Sequence, residues 1–376
     1  VRFGTLSEAD TPDGMTHYHR YHEQLEEAAF ADSLGFDFWG ISEQHFLPTT
    51  STISAPETFF AAVAARTSRI KLRFLSIVML PFNHPVRVAE RLATLDILSD
   101  GRIELCTARS NSPFTLDVFG VDPNDTRELW REGTEATIRA LVEDPFEFNG
   151  KHYKIPPRSV TPKLYRDEMF PVMVIGTSLE SCKIAGENGL GVVTHDSWGG
   201  WGYIEKCAEL YKAAIADAKP FAPYPVTNSL AYAFATANCD ADVERAYETA
   251  RHIAEGFIAL GNRMYAPLVK ASDTYSAFAQ LQDVYENRHD LDYVMDKTPT
   301  VLLGTPEKFI ETIERLEALG FDEVAMRIDG YGHEQNMRNI EMIGKYVIPH
   351  FKAKKAVVPS QYRTELGVDN VPRSLI

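Results

Sequence analysis

The 376-residue chain has no run approaching the roughly 18 to 20 apolar residues that a membrane-crossing helix requires. Its opening, VRFGTLSEADTPDG, has neither the basic stretch nor the following apolar stretch of a secretory signal, so the expected location is the cytoplasm. Cysteine is scarce. Cys106, Cys182, Cys207 and Cys239 form no CxxC pair and no metal-type spacing, so they are read as reduced thiols, and neither a disulfide framework nor a metal site is expected. Positive charge is also short: 38 Lys and Arg against 53 Asp and Glu leave a formal net charge of -15. That field repels phosphate backbones and anionic lipid, which argues against nucleic-acid and membrane partners. An anionic ligand would need a local cationic seat. No internal repeat, low-complexity stretch or GxGxxG nicotinamide fingerprint after a strand is present.

What the chain does have is 44% hydrophobic residues arranged as short β-rich runs alternating with longer helical patterns. RFGTL, FDFWGI, KLRFLSIVML, GRIELCTA, PVMVIG, GVVTHD, VTNSLAYAFATA and DEVAMRID read as eight strands. KLRFLSIVML is almost continuously apolar, as a strand buried on both faces requires. No central linker or composition shift divides the units, which favours one (β/α)8 TIM barrel over a doubly wound sheet. The barrel is expected over 1–351, with a surface tail at 352–376. Insertions are expected at about 143–170, where Asn149-Gly150 signals a hairpin turn, and at about 256–298.

Chemistry in such barrels sits at the C-terminal strand ends. After the second strand stand Glu43, Gln44 and His45. If the strand continues, alternation sends Glu43 and His45 one way and Gln44 the other, whereas a turn would scramble that; the group reads either as an ordinary polar strand end or as a reactive cluster. Arg109 is the first fixed cation beyond the fourth strand, open to reading as a surface ion pair or an anion contact. Beyond the fifth strand, Gly176 permits a tight turn, and Thr177, Ser178 and Ser181 lie across a helix start. Capping explains one hydroxyl. Three, together with unpaired N-H groups and the helix dipole, suit a phosphate, with Arg109 facing them.

These blocks resemble the bacterial luciferase-like flavin-dependent monooxygenases over nearly the whole chain. The likeness rests on RFGTL, LGFDFWGISEQHF, MLPFNHPVRVAERLATLDILSDGRIELCTAR, GTSLES and LLGTPEKFIETIERLEALGFDEVAMR. It implies a TIM barrel in which Arg109 holds the flavin phosphate with Thr177, Ser178 and Ser181. It also places Ser76 and Ile77 where the family has a non-proline cis peptide beneath the flavin ring, a bond costing about 3 to 4 kcal/mol. His84 and Pro85 are framework. Luciferases and many relatives carry two adjacent histidines after the glutamate, the first credited with acid-base work. Here that position is Gln44, whose amide can hydrogen-bond but cannot exchange a proton, which leaves His45 or a group elsewhere.

The resemblance implies an FMNH2- and O2-dependent monooxygenase that takes reduced FMN from a separate flavin reductase and acts through a flavin peroxide on a small organic substrate. Its alternatives are F420-dependent hydride transfer on the same fold and a noncatalytic flavin-binding partner subunit. A homodimer is expected through the small-residue helix FFAAVAARTS (59–68). Phe257, Tyr265, Tyr275, Phe278, Tyr285 and Tyr293 either roof an apolar cavity or pack an added subdomain.

Overall fold

The computed structural model describes residues 1–356 except Asp13, Asn111, Asp167, Glu168, Ser197 and residues 272–279. Twelve strands run β1 Arg2–Leu6, β2 Phe38–Ser42, β3 Lys71–Val78, β4 Ile103–Ala108, β5 Phe146–Asn149, β6 Lys154–Arg158, β7 Val172–Ile175, β8 Gly191–Thr194, β9 Leu230–Phe234, β10 Thr236–Cys239, β11 Val301–Gly304 and β12 Glu323–Arg327. Eight of them close a parallel barrel in the order β1-β12-β9-β8-β7-β4-β3-β2. These are the eight strands expected from the alternation, each lying within its quoted run except β2, which extends one residue past FDFWGI to Ser42.

Alternation along each strand divides the core in two. Leu6, Phe38, Leu75, Cys106, Met173, Val193, Ala231, Ala233 and Ala325 fill the barrel, while Phe3, Trp39, Phe74, Val172, Tyr232 and Val324 pack outward with the helices. The lower end of the barrel is ionic. Arg73 is fully buried, lies 3.7 Å from the centre of the Phe38 ring, and pairs with Glu104 and Glu323; Arg2 reaches the same two carboxylates at 2.7 and 2.8 Å. Helices begin where the sequence signals them, with Pro56, Pro85 and Pro306 in first turns and Gly320 in the left-handed region closing Pro306–Leu319.

The first insertion folds as an antiparallel hairpin, β5 with β6, whose turn follows Asn149. Gly150 N-H donates to the Tyr153 carbonyl at 2.9 Å, and the Glu132 carboxylate accepts from the N-H groups of Lys151 and His152. The second insertion departs from expectation. VTNSLAYAFATA breaks at Ala235, because the N-H groups of Ala235 and Thr236 turn to the Thr300 carbonyl, and β10 leaves the barrel to pair in parallel with β11. The helix entering the excursion starts at Val243, ahead of the expected border. Asp196 pins the excursion's return: its carboxylate accepts from Thr298 and Thr300 hydroxyls, from Tyr232 at 3.4 Å and from Gly200 N-H at 3.0 Å. Of the expected tail, 352–356 complete the helix Ile348–Ala356, and the remainder lies outside the described residues. No helix among the described residues is long and apolar enough to cross a membrane.

Candidate active site

The strand β2 ends at Ser42, so its alternation does not extend over the next residues; Glu43 and His45 meet through the turn that follows. Nε2 of His45 lies 2.9 Å from Oε1 of Glu43. The carboxylate is buried and fixed from two further sides: Oε2 accepts from Val78 N-H and Oε1 from Asn83 Nδ2, both at 2.8 Å. Asn83 is held in turn by Arg91 Nη2 at 2.9 Å, and Arg91 by Glu57 at 2.7 Å. The imidazole therefore rests on a braced acceptor. Around it stand Phe82 and Phe119, edge-on at 5.5 and 5.4 Å and stacked on each other at 4.1 Å, with Phe46 at 6.0 Å. Gln44 is half-buried, its N-H spent on the Ile53 carbonyl.

Ser76 sits beside this group, its carbonyl and hydroxyl both accepting from Glu43 N-H at 3.0 and 3.1 Å. The expected cis bond between Ser76 and Ile77 is not present: among the described residues only Asp144-Pro145 and Thr161-Pro162 are cis. The irregularity here is instead a bulge. β3 pairs Ile41 with Phe74 but Ser42 with Ser76, and on its other side Phe74 with Leu105 but Ile77 with Thr107, so an extra residue is absorbed without inverting a peptide.

Across the barrel mouth, β4 and β7 are neighbours, which brings Arg109 to the loop after β7. Arg109, Arg127, Trp130, Ile175 and Ser181 line one cleft. Gly176 is required there, since a Cβ at that position would lie 2.6 Å from the Ser181 Cβ. Ser178 caps the helix Leu179–Glu187 by accepting from Ser181 N-H at 3.1 Å, and the two hydroxyls lie 2.8 Å apart. The carbonyl of Thr177 accepts from the Tyr203 hydroxyl at 2.8 Å. Arg109 stands at the exposed rim, its guanidinium lowered from the ordinary value by partial desolvation and then by the charge of Arg127, with Glu180 opposing. Arg127 and Glu180 form a bidentate pair at 2.9 and 3.1 Å. Two cations, two hydroxyls and a helix N-terminus converge, a donor set suited to a phosphomonoester.

Several of these groups escaped the sequence reading. Arg127 opens the helix Thr126–Val142, where the dipole disfavours a cation, and that misfit was the available signal. Asn83 lies inside MLPFNHPVR but received no role. His195 follows β8 in the register that puts Val193 inside the barrel; burial pushes its imidazole down against the pull of Asp196. Of the aromatic residues of the second insertion, Phe257 packs 5.5 Å from Trp198, Tyr285 lies against the same small core, and Tyr293 donates to Asp283 at 2.6 Å on the surface. Tyr275, Phe278 and the Tyr265 side chain lie outside the described residues.

A family model described as luciferase-like monooxygenase matches residues 1–323. The protein y4wF of Sinorhizobium fredii, without an assigned function, is 30% identical over 192 residues, a match covering 51% of this chain and 55% of that one. Limonene 1,2-monooxygenase of Rhodococcus erythropolis is 28% identical over 88% of this chain and 81% of that protein. Among solved structures, the oxygenating constituent of 3,6-diketocamphane monooxygenase of Pseudomonas putida, determined with FMN, superposes with a TM-score of 0.73 at 21% identity, over 93% of this chain and 98% of that one.

Proposed function

The chain belongs to the luciferase-like monooxygenase family, and we propose that it is the oxygenase of a two-component system, using reduced FMN from a separate flavin reductase and O2 to oxygenate a small organic substrate. The observation that carries this reading is the seat formed by Arg109, Arg127, Ser178 and Ser181 on one side of the barrel mouth, with the braced His45 on another. In an acidic protein that seat supplies the local positive charge an anionic cofactor needs. The FMN in the diketocamphane enzyme and the monoterpene substrate in the name of the limonene enzyme support the cofactor and the substrate class. Reduced FMN would contribute two electrons and two protons, with one atom of O2 going to the substrate and the other leaving as water.

The residues of this chain do the rest. Arg109, Ser178 and Ser181 hold the phosphate, with the Thr177 loop and the close approach at Gly176 shaping the seat. Ser76 and Ile77, on the bulged edge of β3, border the ring. His45 exchanges a proton through Nδ1, because Nε2 is committed to Glu43. The Gln44 amide orients an oxygen by hydrogen bonding, and Phe82 and Phe119 shield the imidazole from water.

The test is turnover of limonene or a camphor-type ketone with a flavin reductase, NADH, FMN and 18O2. One labelled oxygen atom in the product is expected. Activity with reduced F420 alone would replace this reading by hydride transfer, and tight FMN binding without any turnover of such substrates would favour a noncatalytic subunit. The protein acts in the cytoplasm as a homodimer in this reading, paired through the face of the helix Pro56–Ala64 on which Ala62 and, just beyond it, Ala65 are exposed.

A further inference from the structure

The inward-facing series of β12 runs Glu323, Ala325, Arg327, so its last member stands at the barrel mouth. Arg327 Nη2 lies 2.6 Å from Oδ2 of Asp10, on the loop that follows β1, and 3.6 Å from Glu8. Only 9% of Arg327 and 7% of Asp10 is exposed, yet Nε of Arg327 and Oδ1 of Asp10 have no hydrogen-bond partner, nor does the hydroxyl of neighbouring Tyr331. An unmet donor and an unmet acceptor are thus buried on two side chains already in contact, an arrangement that disfavours the fold unless a further group pairs with them. The backbone makes room for this. Gly330 has φ +93°, and a Cβ there would lie 3.1 Å from both Asp10 Oδ2 and Ile253. The loop after β1 also joins the loop carrying His45: Thr11 N-H donates to the Thr49 carbonyl and Thr52 N-H to the Glu8 carbonyl.

The charge around the pair limits what it can receive. Asp329 accepts from Ser7 Oγ and from the N-H groups of Glu8 and Ala9, and pairs with Arg20, which also holds Glu27. Five carboxylates, Glu8, Asp10, Glu23, Glu27 and Asp329, therefore face two guanidinium groups and the imidazole of His333, which lies 3.1 Å from Glu27. Burial raises the Asp10 carboxyl to about 7 against the pull of Arg327, with Asp329 and Glu8 adding to the rise, in keeping with a site whose negative charge already exceeds what its guanidinium groups offset.

We infer that Asp10 and Arg327 form the polar recognition point of the substrate pocket, for a neutral group presenting a hydrogen-bond donor and acceptor together, such as a hydroxyl or an amide, and that they select against carboxylates. Arg327 Nε donates to the ligand oxygen, and Asp10 Oδ1 accepts from its O-H or N-H. Phe46, on the adjoining loop, meets Phe119, which stacks on Phe82, and this aromatic face suits an apolar body attached to that group. This inference rests on the substrate-oxidising reading of the same barrel mouth.

Ligand-observed NMR titration of the full chain with benzamide, benzyl alcohol, benzoate and toluene tests it without any cofactor. Benzamide and benzyl alcohol should bind about tenfold more tightly than benzoate or toluene, the worth of one buried hydrogen bond. Asp10→Asn, which removes the anion and keeps the shape, should narrow the benzamide-to-benzoate ratio several-fold, and Arg327→Lys should weaken benzamide; unchanged circular dichroism certifies that both variants are folded. Equal binding of benzoate and benzamide in the parent, or a benzamide-soaked crystal with only ordered water on Arg327 Nε and Asp10 Oδ1, overturns the inference. Because the probes need neither FMN nor turnover, their discrimination can stand while the monooxygenase reading falls on the isotope test, and the reverse outcome is equally readable.

Discussion

Nε2 of His45 is committed to Oε1 of Glu43 at 2.9 Å, and that contact decides which ring nitrogen remains for chemistry. A carboxylate braced by Val78 N-H and Asn83 holds the proton on Nε2, leaving Nδ1 with its lone pair. His45→Ala should slow single-turnover substrate oxidation by about 10²- to 10⁴-fold, the usual range for a general acid-base group. FMN affinity should stay within a few fold. Gln44→Ala should instead raise the share of O2 released as H2O2, with the pH profile of the parent. An unchanged pH profile in His45→Ala would assign the proton transfer to another group.

The pairing of Arg127 with Glu180 bears on cofactor affinity. Arg109→Ala should weaken reduced FMN by about 1.5 to 3 kcal/mol, the worth of a charge-assisted contact. Glu180→Gln should act the other way, because an arriving phosphate no longer competes with a resident carboxylate for Arg127. Equilibrium titration under anaerobic conditions reads both, and parental affinity in Arg109→Ala would remove that residue from the seat.

Acid should unfold the barrel partly from its lower end. Burial alone would raise the Glu323 carboxyl, but Arg73 and Arg2, with hydrogen bonds from Arg73 and Ser229, outweigh it and bring it down to about 2. The folded value lies below the unfolded one, so the stabilisation is complete above pH of about 4.5 and is lost as pH falls toward 2, about 3 kcal/mol in all. Asp10 has the opposite sign: its folded value of about 7 lies above the unfolded one, so its contribution is full below pH of about 4 and is lost as pH rises from there to about 7. Urea unfolding from pH 2 to 8 should show a shallower acid limb in Glu323→Gln and a shallower neutral limb in Asp10→Asn. Limbs parallel to the parent would assign the pH dependence to other groups.

Association should respond to the small-residue helix. Ala62→Arg, on the exposed face of Pro56–Ala64, should convert the sedimentation pattern from dimer to monomer at micromolar concentration while preserving FMN affinity. A parent that already sediments as a monomer would end the dimer proposal.

Much of this molecule was legible in its residues, and the limits have physical causes. Each barrel strand announced itself because an apolar run between helical patterns has few other uses. The contact of Glu43 with His45 is made by the turn after Ser42, where strand alternation no longer applies. What could not be read was produced by closure. Arg127 meets Glu180 only because β4 and β7 become neighbours once the β5–β6 hairpin is set aside. β10 was hidden in the end of β9 because its partner β11 follows a long helical excursion. The expected cis bond at Ser76 came from resemblance, and this chain meets the same strand irregularity with a bulge.

The anchoring of that excursion has a consequence for how new specificities arise. β10 and β11 are stitched together where it leaves and returns, and Asp196 ties its return to the rim through Thr298 and Thr300. The strand registers are therefore set at the two ends of the excursion, whose own packing on the rim runs through Trp198 and the Gly330 turn. Length and composition in that interval can drift, or be exchanged in the laboratory, while the strand registers that place His45, Arg109 and Arg327 stay fixed, so that one barrel can be refitted for a different substrate without being redesigned.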